Sequence, residues 1–279
     1  MTVLVTGGRG LVARTLVPLL HEEGYDVRVA SSDPTKLTPP GGVPAVRCDL
    51  GDPDTFPAAL SGVTSVFLYA EPSHIDAFIE RATEAGVRHI VLLSSSSVIS
   101  PGTATNPIAR MHREVEQPLT ASPIESTLLR PGAFASNALQ WSRAITSTGS
   151  VDLPHPNAHT DPIHEADIAA VALAVLADPA LRGKEYHLTG PESLTFQEQI
   201  DHIAQVIGRP LTVNAVAEET WRREMTEYVP GELVDALLGW QRSHDGVPTE
   251  TTETVEQVTG RPARTFATWA EEHAAAFKN

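Results

Sequence analysis

The stretch that decides the fold is Val3-Leu4-Val5-Thr6-Gly7-Gly8-Arg9-Gly10-Leu11-Val12-Ala13, near the start of the chain. A short apolar run leads directly into a Gly-rich turn, and the turn opens a segment with helical spacing of apolar residues. In such a turn the first glycine permits the tight bend, and the second lets the backbone approach a pyrophosphate. The free N–H groups of the helix start favour the same anion. The stretch therefore predicts a dinucleotide site at Gly7, Gly8, Arg9, Gly10, Leu11 and Val12; the alternative is an ordinary strand-to-helix turn.

Strands alternate with helices through the rest of the first half. Apolar runs without alternation, separated by helical segments, indicate a parallel sheet that is covered on both faces. The runs fall at 26–30, 45–48, 66–70, 89–93 and 125–129. The second half has an apolar helix at 167–177, a short strand at 185–188, a candidate strand at 211–216 and a helical, acidic tail. We expect an α/β fold with a doubly wound parallel Rossmann sheet over 1–150 and a smaller C-terminal α/β lobe over 151–279, which is interleaved with the sheet in one structural unit.

Composition excludes several classes of protein. The chain has 279 residues, 41% of them hydrophobic, and a formal net charge of −15. This negative balance argues against direct nucleic-acid binding, which requires clustered Lys and Arg, but a helix N-terminus can still bind a small anion. One cysteine, Cys48, cannot form an internal disulfide. No apolar stretch approaches the roughly 20 residues that cross a bilayer, and no basic segment precedes the first apolar run. These features predict a cytoplasmic protein that does not bind membranes.

The end of the second strand bears on the choice between NAD and NADP. An acidic residue at this position binds a ribose 2′-hydroxyl, whereas basic residues favour a 2′-phosphate. Ser31 and Ser32 stand there, with Lys36 and Arg9 nearby, and together they favour NADP. Asp33 is the alternative ligand, for the hydroxyl of NAD, but it precedes a proline and is also suited to cap the next turn.

Asp49 and Leu50 follow the third strand. The Asp49 carboxylate is placed to accept a hydrogen bond from the adenine amino group, with Leu50 packing on the ring. An Asx turn is an equal alternative for Asp49, since Asp side chains readily bond the backbone two residues ahead.

Motifs along almost the whole chain resemble the NmrA-like group of atypical short-chain dehydrogenase/reductases. They are the turn above, the Asp49-Leu50 pair, Leu129-Arg130-Pro131-Gly132-Ala133-Phe134-Ala135-Ser136-Asn137, Asp167-Ile168-Ala169 and Tyr186-His187-Leu188-Thr189-Gly190-Pro191-Glu192. The resemblance implies a nicotinamide near the ends of the fourth, fifth and sixth strands, and a C-terminal lobe over the substrate. It adds further cofactor-binding candidates: Tyr69, Ala70, Glu71, Ser94, Pro131, Gly132 and Phe134. Phe134 would also contact the substrate, and Tyr69 is alternatively a core aromatic residue of its strand.

The same resemblance shows where the usual catalytic residues are missing. Catalytic members of the superfamily use a Ser, a Tyr and a Lys four positions after the Tyr. Here Ser96 corresponds to the Ser, Ile108 stands in place of the Tyr and His112 in place of the Lys. Isoleucine cannot donate a proton, so Ser96 and His112 are the remaining catalytic candidates. His112 would form a hydrogen bond to the nicotinamide ribose or act as an acid; the alternative is an ordinary helix histidine. For the serines after the fifth strand, the alternative is a polar strand end without a catalytic role.

Histidines and carboxylates are concentrated in residues 155–165. The prolines make this segment a loop, and the spacing does not fit a helical His pair, so we predict no metal site. The resemblance places the loop at the rim of the substrate cleft, where His159 or His164 would contact the substrate. A plain surface loop is the alternative.

Two functions are compatible with this pattern. The first is an NAD(P)H-dependent reductase of a small quinone or conjugated carbonyl compound, because solvent can protonate the oxygen of such an acceptor without a catalytic Tyr. The second is a non-catalytic NAD(P)-binding redox sensor that regulates a partner protein. The predicted partners are a small-molecule substrate, and either a second copy in a homodimer or a regulatory protein. The C-terminal lobe favours the enzyme, since a sensor has less need of a shaped cleft.

Overall fold

The computed structural model describes residues 1–100 and 106–278. The strands are β1 (Thr2–Val5), β2 (Asp26–Ser31), β3 (Ala45–Arg47), β4 (Ser65–Tyr69), β5 (His89–Leu93), β6 (Glu125–Pro131), β7 (Ser150–Leu153), β8 (His159–Thr160), β9 (Glu185–Leu188), β10 (Leu194–Thr195) and β11 (Thr212–Ala215). The helices are α1 (Leu11–Glu22), α2 (Phe56–Leu60), α3 (Ile75–Glu84), α4 (Pro107–Ala121), α5 (Ser142–Thr148), α6 (Glu165–Ala177), α7 (Phe196–Ile207), α8 (Glu218–Met225), α9 (Gly231–Ser243), α10 (Thr254–Thr259) and α11 (Phe266–Glu272).

The chain forms two compact units, each made of three segments. The first contains Met1–Pro131, Glu165–Leu188 and Thr254–Arg261, and the second contains Gly132–His164, Thr189–Glu253 and Pro262–Asn279. The predicted division at residue 150 cuts the chain only once. The later segments that return to the first unit supply β9, α6 and α10.

A seven-stranded parallel sheet forms the centre of the first unit. Its strand order is β3-β2-β1-β4-β5-β6-β9, so the chain moves outward in one direction from β1 and then returns to start again at β4. Val5 is paired with Val29 on one side and Phe67 on the other. In such sheets the ligand site lies beyond the carboxyl ends of the strands, at the point where the order reverses. The predicted doubly wound α/β fold is confirmed.

The core of the first unit explains why its strands are apolar throughout. Leu4, Val66, Ile90 and Leu92 are almost completely buried, and they pack with residues of α2 and α3. A strand that helices cover on both faces has no solvent-facing side, so polar alternation is absent. Because of this constraint, the strands of the sheet could be predicted from the sequence.

The second unit has its own core and two small sheets. β7 and β11 pair in parallel, and β8 and β10 pair antiparallel. Trp269 is fully buried and stacks on Phe266 with ring centroids 5.3 Å apart. The predicted strand at 211–216 is present as β11, but its partner β7 was not foreseen. Among the described residues, no helix is both long enough and apolar enough to cross a membrane.

His89 is a buried histidine at the start of β5. Its Nε2 lies 2.9 Å from the Thr127 hydroxyl, which also accepts the Gly183 N–H. Its Nδ1 is buried and has no hydrogen-bond partner among the described residues. Burial, and to a smaller extent the nearby charge of Arg182, lower the pKa of His89 to about 4. The folded protein therefore holds this imidazole neutral.

We predict that His89 weakens the fold as the pH falls from about 6.5 to about 4. In this range an unfolded histidine takes up a proton that the folded one does not, so proton binding favours unfolding, by at most about 3 kcal/mol. Urea unfolding of the wild type and of His89→Gln at pH 7 and pH 4.5 measures this. The loss of unfolding free energy on acidification should be smaller in the variant; an equal loss in both contradicts the assignment.

Candidate dinucleotide-binding site

The Gly-rich turn links the end of β1 to the start of α1. Gly7 has a φ of +61°, a conformation that glycine adopts without strain. The Gly8 N–H donates to Ala30 O at 2.8 Å and ties the turn to β2, while the Gly10 N–H donates to Gly7 O at 2.8 Å. Gly10 is the N-cap of α1 and supplies no capping side chain. The first N–H groups of α1 have no carbonyl of their own helix to bond, which is the arrangement that binds phosphate.

Thr6 fixes this turn relative to β4. Its N–H and its hydroxyl both donate to Phe67 O, at 3.0 and 3.2 Å, and the hydroxyl oxygen accepts the Tyr69 N–H at 2.9 Å. Thr6 is fully buried, so water does not compete for these bonds. The ends of the two central strands are consequently held in a fixed register.

The Tyr69 side chain lies against the turn. A Cβ added to Gly7 would be 2.5 Å from the Tyr69 ring, and one added to Gly10 would be 2.3 Å from its hydroxyl. The hydroxyl accepts a long, weak hydrogen bond of 3.4 Å from the Ala13 N–H. Burial raises the pKa of Tyr69 to about 12, so the hydroxyl is neutral. The structure thus brings Tyr69 together with the predicted phosphate-binding residues.

A basic cavity lies beside the turn. It has a volume of about 470 Å³, and its lining includes Arg9, Arg14 and Lys36. Lys36 also forms an ion pair with Asp33 at 3.2 Å. The Asp33 carboxylate caps its own turn by accepting the Thr35 N–H and hydroxyl, and these bonds together with Lys36 lower the pKa of Asp33. Asp33 therefore adopts the capping arrangement, and Arg14 is a basic residue that the sequence analysis missed.

The other residues expected around the adenosine are also placed within the first unit. Ser31 is buried and its hydroxyl accepts the Asp33 N–H at 3.2 Å, whereas Ser32 is exposed. The Asp49 carboxylate accepts the Gly51 N–H at 3.1 Å, which is the Asx turn considered above. Leu50 is half-buried beside it. One carboxylate oxygen of Asp49 is thus engaged locally, and its role toward adenine stays a prediction.

Ala70 and Glu71 follow Tyr69 at the end of β4, and both are half-buried. Glu71 accepts the Ser73 N–H at 3.0 Å and the Ser73 hydroxyl at 2.6 Å. The carboxylate of Glu71 is therefore used to shape its own turn.

The serines after β5 occupy distinct positions. Ser94 is buried and its hydroxyl donates to Glu116 Oε1 at 2.6 Å. Ser95 caps a short 3₁₀ turn, and Ser96 is the first residue of that turn. The Ser97 hydroxyl is buried without a hydrogen-bond partner among the described residues. Ser96 is the predicted catalytic serine, whereas the buried and unbonded hydroxyl belongs to its neighbour Ser97.

Glu116 and Arg130 form a buried ion pair that the sequence analysis did not identify. Arg130 Nε and Nη2 donate to the two carboxylate oxygens of Glu116, at 2.9 and 2.7 Å. The two side chains are only 11% and 8% exposed. Arg130 also pairs with Glu185, and the Glu116 and Glu185 carboxylates keep the pKa of Arg130 above its usual range. The only available signal was the position of Glu116, one helical turn after His112.

His112 lies on α4 with its imidazole partly buried. Its Nδ1 is buried and has no hydrogen-bond partner among the described residues. Burial lowers the pKa of His112, and the charge of Glu116 opposes this shift only in part. The ring is therefore neutral at neutral pH. It retains one unsatisfied nitrogen, and such groups are rare in folded proteins.

In the second unit, the residues after β6 pack against a carboxylate. A Cβ on Gly132 would be 2.1 Å from Asp161 Oδ2, and Asp161 Oδ1 accepts the Ala133 N–H at 2.9 Å. Burial raises the pKa of Asp161 to about 6. Phe134 pairs with Ile163 through an isolated parallel bridge. Pro131 is the last residue of β6, and Asp161 is a titratable residue of the 155–165 segment that was not singled out.

His159 and His164 have separate surroundings within the second unit. His159 Nδ1 lies 3.2 Å from the Ser193 hydroxyl, whereas His164 is 3% exposed and its Nε2 lies 3.2 Å from Glu272. Within residues 1–100 and 106–278, no three His, Cys, Asp or Glu side chains are grouped as metal ligands. The role of both histidines toward a substrate stays a prediction.

A doubly wound sheet with a Gly-rich turn at its switch point defines a dinucleotide-binding protein. A family model described as NAD(P)H-binding matches residues 7–179. The (4-alkanoyl-5-oxo-2,5-dihydrofuran-3-yl)methyl phosphate reductase of Streptomyces griseus subsp. griseus is 36% identical over 280 residues, which cover 99% of each chain. The NAD(P)H azoreductase of Xenophilus azovorans is 33% identical over 284 residues, again covering 99% of each.

The chain therefore belongs to the NAD(P)H-binding family, and the predicted resemblance is confirmed. Among solved structures, the NADPH-dependent quinone oxidoreductase of Escherichia coli complexed with NADPH is similar in fold, with a TM-score of 0.81 and 24% identity over 97% of this chain and 99% of that one. The cofactor is thus a nicotinamide dinucleotide.

Proposed function

We propose that this protein is an NAD(P)H-dependent reductase of a small conjugated carbonyl compound or quinone. The observation that carries the proposal is the turn from Gly7 to the N-terminus of α1, whose N–H groups are arranged to bind phosphate. Relatives that match almost the whole chain are reductases. The name of the Streptomyces griseus relative describes an unsaturated ring with a 5-oxo and a 4-alkanoyl group, which is a conjugated carbonyl.

When bound, the reduced dinucleotide supplies a hydride. In a conjugated carbonyl the hydride adds to the β-carbon, the electron pair of the double bond moves to the carbonyl oxygen, and water protonates the resulting enolate. One hydride from the bound dinucleotide and one proton from water together would reduce the double bond, so electrons and protons balance. This reaction does not require an acidic tyrosine, which is consistent with Ile108 at the position where the resemblance places one.

His112 is proposed to orient the cofactor. The resemblance places it where the superfamily has a lysine, and its unsatisfied, buried Nδ1 would be satisfied by a ribose hydroxyl. Its lowered pKa favours a neutral hydrogen-bonding group over a proton donor. Ser96 is the weaker catalytic candidate, because only its place in the chain supports it. Pro131, Gly132 and Phe134, and His159 and His164, stay proposed contacts of nicotinamide and substrate.

We predict that the protein oxidises NADPH or NADH in the presence of at least one acceptor from a panel of quinones and α,β-unsaturated aldehydes and lactones. His112→Ala should lower kcat/KM about tenfold, the effect of one lost hydrogen bond. In the wild type kcat/KM should fall when His112 is protonated, because protonation removes the acceptor nitrogen, and the fall should lie on the acid side of the usual histidine range because burial lowers the pKa of His112. The variant should lack this fall. Steady-state absorbance at 340 nm measures both.

His21→Ala, which alters an exposed histidine of α1, is the matched control and should leave kcat/KM unchanged. Dinucleotide binding without turnover of any acceptor would contradict the reductase and favour the redox sensor.

We also propose a preference for NADP over NAD. Arg9 and Lys36 line the basic cavity, and Asp33 caps its own turn. A 2′-phosphate would add two negative charges beside these cations. The ion pair between Lys36 and Asp33 offsets part of the effect, so Arg9 should be the main contributor.

Arg9→Ala should therefore weaken NADPH binding about tenfold and change NADH binding little. Isothermal titration with both dinucleotides measures the ratio of the two Kd values. Arg81→Ala removes an exposed arginine that pairs with Glu84 on α3 and is the control. Equal loss of affinity for both dinucleotides would contradict the assignment of Arg9 to the 2′-phosphate.

The small-molecule substrate follows from the proposed reaction. The cytoplasmic location, the lack of direct nucleic-acid binding and the homodimer or regulatory partner stay predictions, which composition and resemblance alone support.

A further inference from the structure

The space above the Gly-rich turn holds a side chain of the protein itself. A Cβ on Gly10 would point at the Tyr69 hydroxyl, 2.3 Å away, and a Cβ on Gly7 would point into the Tyr69 ring. In turns of this type, the second glycine lacks a side chain so that the pyrophosphate can approach the backbone. The phosphates would therefore approach Gly10 from the side where a Cβ would stand. The Tyr69 hydroxyl occupies that side.

The Tyr69 hydroxyl also accepts a hydrogen bond from one of the N–H groups that would otherwise be available to a phosphate. Ala13 is the third residue of α1, so its N–H belongs to the first turn and has no helical acceptor. It donates to the Tyr69 hydroxyl at 3.4 Å. A neutral oxygen at that distance is a poor partner for a helix N-terminus, which attracts negative charge. A phosphate would form a stronger interaction with the same N–H group.

The ring is held where it is mainly by packing. Tyr69 contacts Phe67 edge to face, with ring centroids 5.9 Å apart, and its backbone N–H is fixed by the Thr6 hydroxyl. The backbone of Tyr69 is thus tied to β1, whereas its side chain makes a single weak hydrogen bond to the residues that the structure describes. Rotation about the side-chain torsions can remove the ring from the turn without breaking the sheet.

We propose that the Tyr69 side chain competes with the pyrophosphate of the dinucleotide for the Gly-rich turn, and that binding requires the ring to leave. This inference rests on the proposed function, since it assumes that the turn binds a dinucleotide. Tyr69 then sets the cofactor affinity. The apparent Kd equals the intrinsic Kd divided by the fraction of molecules whose ring is displaced. Minor states of this kind are typically populated at about 0.1–10%.

The test compares binding of NADPH and of inorganic pyrophosphate to the wild type, Tyr69→Phe and Tyr69→Ala by isothermal titration. Tyr69→Ala should bind both ligands about tenfold more tightly or better, because the competitor is gone. Tyr69→Phe keeps the ring but loses the bond to Ala13, so its Kd should lie between the other two. Tyr25→Ala, at a half-buried tyrosine of the same unit, should match the wild type.

A stability measurement locates the ring without any ligand. Gly10→Ala should lower the melting temperature by roughly 4 °C in the wild type, because the new Cβ meets the Tyr69 hydroxyl and a better N-cap residue is lost. In a Tyr69→Ala background the steric part should disappear and only the smaller N-cap part should remain. An identical shift in both backgrounds would overturn the placement of the ring.

Failure of this inference can be distinguished from failure of the proposed function. If wild type and Tyr69→Ala bind NADPH with the same Kd, or if Tyr69→Ala binds more weakly, competition by Tyr69 is wrong and the dinucleotide site stands. If neither protein binds NADPH or pyrophosphate, the proposed function is wrong and the inference is overturned with it.

Discussion

The buried hydroxyl of Thr6 joins the two strands at the centre of the sheet, and the rest of the site depends on this junction. It donates to Phe67 O and accepts the Tyr69 N–H, so it continues the hydrogen bonding of β1 and β4 where β1 ends. A residue without this acceptor would leave the Tyr69 N–H unpaired, at a cost of about 1–3 kcal/mol, whereas Phe67 O would keep the Thr6 N–H even without the hydroxyl donor. Because the Thr6 hydroxyl supplies both a donor and an acceptor, the chain can turn immediately at Gly7 and start α1 at the switch point of the sheet.

This junction also determines what lies over the turn. Fixing the Tyr69 backbone beside Thr6 places its ring on Gly7 and Gly10. The two glycines therefore permit the close approach of the aromatic ring, on the side where the proposed phosphate would also approach. After the end of β5, the buried Ser94 hydroxyl donates to Glu116, and Glu116 is in turn paired with Arg130. Such a buried pair contributes little net stability but is costly to break, which favours one arrangement of α4 beside β6.

The sheet and the turn could be predicted from the sequence because both depend on local patterns. Apolar runs mark strands covered on two faces, and Gly7 and Gly10 follow one such run directly. The contacts that occupy the predicted side chains depend on residues distant in sequence or on turn geometry. Ser94 is 22 residues from its acceptor Glu116, and no spacing rule connects them. Glu71 was a cofactor candidate through the family resemblance, but its carboxylate also bonds the turn at Ser73, which competes for the same oxygen atoms.

The return of the chain to the first unit was likewise beyond local patterns. The apolar helix and short strand of the second half were identified, but no local signal indicates which sheet they join. The pairing of β9 with β6, residue Leu129 to Tyr186, adds the seventh strand. Long-range pairing of this kind depends on which exposed edge of a sheet the strand can cover. The local pattern of residues in the strand does not show which edge this is.

We propose that the N-terminus of α1 binds a dinucleotide through its backbone N–H groups. The most direct measurement is the change in backbone amide NMR shifts of the full chain when NADPH is added. The largest changes are expected at Gly8, Gly10, Leu11 and Val12, with little change at Gly86, which follows α3 at the other end of the strands. Unchanged amide shifts across the turn at saturating NADPH, with shifts elsewhere or none at all, would contradict the account.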